Sequence, residues 1–118
     1  MSIKLSSRQQ AQLGFLDQAF SKVQRVQSLI EKMATPSEAE TAGRSLTRIV
    51  DEIKSGASGM GLSRVADSAA NIGSIARRSG AIPQRLRSLR EGLVGLKINW
   101  EGARKAASTP DNTSNDAP

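Results

Sequence analysis

The 118-residue sequence contains no histidine, no cysteine and no tyrosine, and its aromatic residues are Phe15, Phe20 and Trp100 alone. Without cysteine there is no disulfide framework, no thiolate nucleophile and no cysteine-based metal site, a usage that fits a reducing compartment. Without histidine, no imidazole can serve as general acid, general base, metal ligand or phosphoryl acceptor. No apolar run approaches the ~18 residues that a bilayer-spanning helix needs. The opening MSIKLSSRQQ lacks the continuous apolar core of a signal peptide. A soluble, cytoplasmic protein is therefore expected. Alternating strand patterns are missing as well, as is any repeat at the periods that mark solenoids.

What is present is helical periodicity. Leu13, Leu16, Phe20, Val23, Ile30 and Met33 recur at spacings of three, four and seven, with Val26 and Leu29 widening the stripe, so one long amphipathic helix is expected, with a break near Gly14. Thr35-Pro36-Ser37-Glu38 reads as a restart: Thr35 as cap, Pro36 in the first turn, Glu38 completing a capping box. The second stripe is Leu46, Ile49, Val50, Ile53, Ala57 and Met60, and the third is Leu62, Val65, Ala69, Ile72 and Ala76. Gly59 and Gly61 supply the backbone freedom to reverse between them. Ser79-Gly80 ends the third helix, and Pro83 opens a fourth. There Ile82, Leu86, Leu89, Leu93, Leu96, Trp100, Ala103 and Ala107 follow alternating steps of four and three, a seam suited to shallow packing in a bundle. The expected architecture is an all-α, antiparallel, up-and-down four-helix bundle over residues 1–107, followed by a disordered tail, STPDNTSNDAP, over 108–118.

Charge is unevenly placed. Between Arg77 and Lys105 eight basic residues face two acidic ones, so this segment carries the whole formal net charge of +6. Arg90, Lys97 and Arg104 lie seven apart on one edge of the last helix, where long basic side chains commonly cover an apolar stripe with their stems. A cationic half favours an acidic protein surface or nucleic acid. Duplex binding would show as a steep loss of affinity with salt. Against nucleic acid stand the absence of a recognition-helix pattern and of interleaved aromatics, since Trp100 falls within the core stripe. The string Gly56, Gly59, Gly61 has neither the spacing nor the following Lys-Ser/Thr of a phosphate loop.

In DEIKSGASGMGLSRVADSAANI, Lys54 follows Asp51 by three residues, Ser55 and Gly56 are small, and Gly61-Leu62 begins ten residues after Asp51, with Val65, Ala66, Ala69 and Ile72 behind it. This resembles the signature hairpin of the histidine-containing phosphotransfer (HPt) domains of bacterial phosphorelays. Asp51 stands where that family carries its phosphorylated histidine, and Ser55-Gly56 reverses the family's Gly-Ser order. The resemblance covers residues 44–76. It implies an HPt-like bundle that keeps a docking surface without the chemistry: a non-enzymatic adaptor or modulator, with no catalytic residue, cofactor or metal. Its partner would be a bacterial two-component or chemotaxis protein, namely a receiver domain, a histidine kinase or the receptor methyltransferase.

The residues assigned to partner binding are Arg44, Arg48, Asp51, Lys54, Ser55 and Ser58. Asp51, Ser55 and Ser58 share one helix face opposite Ile49, Ile53 and Met60, and the small Ser55 and Gly56 leave room for another protein to approach. Asp51 lies within reach of Lys54 and Arg48. Adjacent Asp51 and Glu52 point to different faces and make a poor acid/base pair. A small basic nucleic-acid-binding protein is the alternative, and the chain is open to acting as monomer or dimer.

Overall fold

The computed structural model describes residues 4–78 and 80–110, and within them every regular element is a helix: α1 (Ser7–Lys32), α2 (Pro36–Gly59), α3 (Ser63–Ala76) and α4 (Ile82–Ser108). α1 starts on a capping box the sequence reading passed over. The Ser6 hydroxyl accepts from the Gln9 amide at 3.0 Å while the Gln9 side chain accepts from the Ser6 amide at 2.9 Å. The helix then runs unbroken through Gly14, contrary to the expected break, because a helix anchored by a buried stripe tolerates one exposed glycine. At Thr35 the expected capping box is not formed. Its side chain makes no cap hydrogen bond, and only its carbonyl accepts from the Glu38 amide, at 2.9 Å; Pro36 fixes the start of α2 instead.

α2 ends in a Schellman turn. The Leu62 amide donates to the Ala57 carbonyl at 2.8 Å and the Gly61 amide to the Ser58 carbonyl at 3.1 Å, with Gly61 at φ +74° and Leu62 and Ala57 both buried. Gly61 alone supplies the left-handed step; Gly59 is the last residue of the helix. α3 ends earlier than expected, at Ala76, with Arg77 as its cap. Ser79 lies outside the described residues, and Gly80, at φ +138°, belongs to the connection to α4.

Each helix packs against its neighbours in sequence, and α4 closes the ring against α1, while the diagonal pairs do not meet. Contacts between α1 and α2 pair Gln12 with Met60 and Lys22 with Glu52. Those between α1 and α4 pair Asp17 with Arg104, Gln27 with Lys97 and Glu31 with Arg90. Ser68 meets Asn99 and Ile72 meets Gly92 across α3 and α4. In each set one number rises as the other falls, so adjacent helices run antiparallel.

The expected stripes supply the core, with Leu16, Val23, Ile30, Leu46, Ile53, Ile72, Leu89, Leu96 and Trp100 almost wholly buried. Phe20 departs from its stripe and stays 40% exposed at the bundle surface, its ring centroid 6.5 Å from that of Trp100. The Phe15 ring centroid lies 6.0 Å from that of the indole, so all three aromatics form one group. Separations of this size favour offset or edge contacts between rings. α4 continues through Ser108, one residue past the expected end of the bundle, and Thr109 is held to α1 by the Gln9 side chain, whose Nε2 donates to its carbonyl at 2.6 Å. The expected disordered tail falls, over 111–118, outside the described residues.

Candidate docking face on the second helix

At ~100° per residue, Arg44, Arg48, Asp51, Lys54, Ser55 and Ser58 fall within about a third of the circumference of α2. All six are exposed, and Leu46, Ile49, Val50, Ile53 and Ala57 on the other side are buried. The face exists because α2 places its apolar residues where α1 and α3 flank it and leaves a polar strip between them.

The ion pairs on this strip differ from those expected. Asp51 does not pair with Lys54 or Arg48; its Oδ2 accepts from Nη2 of Arg77, at the end of α3, at 2.9 Å. Lys54, three residues on, is within reach along the helix, but Arg77, brought alongside by the packing of α3 on α2, takes the carboxylate. Arg44 bonds Glu40 one turn earlier at 3.3 Å. Arg48 and Lys54 form no ion pair among the described residues, so the strip presents two unpaired cations flanking a neutralised Asp51–Arg77 pair. Half-exposed pairs like this one contribute little to stability and leave the charges accessible.

Gly56 serves a purpose inside the molecule. A Cβ built there would collide with the ring of Phe15, so the small residue admits an α1 side chain and gives no opening to a partner. Ser55, beside it, remains exposed. Arg77 is the contributor that sequence reasoning missed. It entered only as part of a net charge, although an arginine closing a helix opposite a carboxylate on the preceding one is a readable signal once the hairpin is drawn.

The basic edge of α4 turns toward α1. Arg90 grips Glu31 with Nε and Nη2 at 2.9 and 2.8 Å, Lys97 donates to the Gln27 amide oxygen at 2.7 Å, and Arg104 donates to Asp17 at 2.9 Å. The hydrogen bond from Arg90 holds the Glu31 carboxyl below its ordinary range and raises the arginine in return. The cationic row that motivated a nucleic-acid reading is thus engaged within the bundle. Among the described residues no group of three or more Asp or Glu side chains converges as a metal site would require, and no helix is long and apolar enough to cross a membrane.

Comparison with protein-family models, with curated proteins and with solved structures finds no match for this chain.

Proposed function

We propose that the chain is a non-enzymatic helical docking module that presents the outer face of α2 to an acidic surface on a signalling protein of the two-component or chemotaxis type. A receiver domain, a histidine kinase and a receptor methyltransferase are the candidate partners, and no phosphoryl group is transferred. The observation that carries the docking half of this reading is the set of six exposed polar residues on one side of α2, two of them cations free of any ion pair among the described residues. The choice of partner class is supported by the hairpin resemblance over residues 44–76, with Asp51 exposed at the position that corresponds to the reactive histidine. An aspartate held by Arg77 suits recognition better than chemistry, because its negative charge already has a partner.

Direct titration by calorimetry against receiver domains and kinases from the encoding organism tests it. Binding is expected to weaken about tenfold or more in Arg48→Glu and Lys54→Glu, since like-charge contacts across an interface oppose association. In parallel, radiolabelled phosphate on a phospho-receiver should stay on the receiver. Loss of affinity on reversing Arg25, on α1 and outside the strip, with none on reversing Lys54, would refute the assignment of the face.

A further inference from the structure

A second feature lies at the end of the molecule where α3 stops short of the first half of α2. The shorter α3 leaves a pocket of about 300 Å³ between α2, the end of α3 and the start of α4. Its walls include the small residues Ala39, Gly43 and Ala76, and three arginines line it: Arg44, Arg77 and Arg85. Glu40 is the one carboxylate in the lining and Asp51, beside it, is paired with Arg77, which leaves the three arginines with one positive charge in excess.

The three arginines are not equivalent. Arg44 is matched by Glu40 and Arg77 by Asp51, each through a single nitrogen, so each keeps further N–H groups uncommitted. Arg85 has no carboxylate partner among the described residues. Its Nη1 donates to the Arg78 carbonyl at 2.6 Å, which fixes the guanidinium in place, and its buried Nε has no hydrogen-bond acceptor among the described residues. A positioned, partly buried cation with no carboxylate partner among the described residues, beside two others with donors to spare, is an arrangement that binds oxyanions, because guanidinium forks match the oxygens of phosphate groups.

We infer that this pocket is a binding site for a small multiply charged oxyanion of the phosphate class, held by Arg85 and steadied by Arg44 and Arg77. The uncompensated charge of Arg85, with the spare N–H donors of Arg44 and Arg77, suits a multiply charged oxyanion, and the volume admits a phosphate or pyrophosphate. The inference does not depend on the docking role of α2, although the two regions share Arg44 and Arg77, and the protein alone is used to test it.

The test is a titration of the full chain with inorganic pyrophosphate, with ionic strength held constant by sodium chloride, followed through the arginine Nε–Hε signals by NMR. The signals of Arg85, Arg44 and Arg77 are expected to move along one saturable curve, and that of Arg90, closed on Glu31 outside the pocket, to stay in place. Arg44→Gln, at an exposed position, is expected to weaken binding about tenfold, the cost of one charge-assisted contact, and Arg85→Gln by more. Non-saturating shifts, equal shifts at all arginines, or an Arg44→Gln variant that binds like the parent would overturn the site. Should Arg85→Gln fail to fold, the parent titration and Arg44→Gln decide between these outcomes.

Discussion

Gly56 and Gly14 are both helical glycines, yet substitution to alanine is expected to act in opposite directions at the two positions. At Gly14 a Cβ would meet nothing within 4 Å, so alanine gains helix propensity and should stabilise the fold by up to ~1 kcal/mol. At Gly56 the same atom would strike the Phe15 ring, and overpacking of ~1–3 kcal/mol outweighs the propensity gain. Urea midpoints of the two variants read the difference, with the fluorescence of the buried Trp100, the single tryptophan, as the signal. Truncation of that indole, Trp100→Ala, should cost ~3–5 kcal/mol as a large core deletion, measurable by circular dichroism during denaturation. These residues also show what a sequence can disclose. Trp100 lay in an apolar series of steps four and three, and its burial followed from the period alone. Gly56 carried no such mark, because a residue that makes room is defined by the neighbour that fills it, and Phe15 is 41 positions away.

At the scale of the helix, stripes were readable and terminal details were not. The four helices, the Pro36 start and the Gly61 reversal follow from periodicity and backbone freedom, which are local properties. The same turn also gives Gly61-Leu62, one of the matches to the HPt hairpin, a second explanation: a Schellman turn calls for glycine followed by an apolar residue whatever the family. Thr35 failed as a side-chain cap although its neighbours fit the pattern, while Ser6 and Gln9 formed the box with the same spacing. The edge of α4 was readable as charge but not as pairing, since its acceptors Asp17, Gln27 and Glu31 lie on the helix furthest away in sequence. A pH dependence belongs here. Glu31 has its carboxyl pKa lowered in the folded state, so its contact with Arg90 adds stability above the unfolded value of 4.5, and that stability is lost as pH falls through the lower folded value. Glu31→Gln should therefore lower the urea midpoint relative to the parent at pH 6, and the gap should narrow toward pH 3 and in high salt. An unchanged gap at pH 3 would show that the carboxylate charge is not what joins α4 to α1 at this point.

Across the whole molecule, charge is sorted by what the bundle does with it. The row along α4 closes the ring of helices, the three arginines beside the end of α3 line a pocket, and Arg48 and Lys54, on the outside of α2, form no ion pair among the described residues. A net charge of +6 in one segment could not reveal this division, because it depends on which helices become neighbours. It also makes stability and binding separable. Asp51→Asn, at a half-exposed pair, should cost no more than ~1 kcal/mol, well within what a folded domain tolerates, so any larger effect on partner affinity reports recognition and not unfolding. The most direct measurement is a map of backbone amide shifts in the full chain on titration with the receiver domain or kinase that binds it. Docking through α2 predicts shifts concentrated at Arg44, Arg48, Asp51, Lys54, Ser55 and Ser58, with the bound footprint lost in Lys54→Glu. Shifts centred on the outward face of α4 around Val94 and Ile98, with α2 silent, would contradict it.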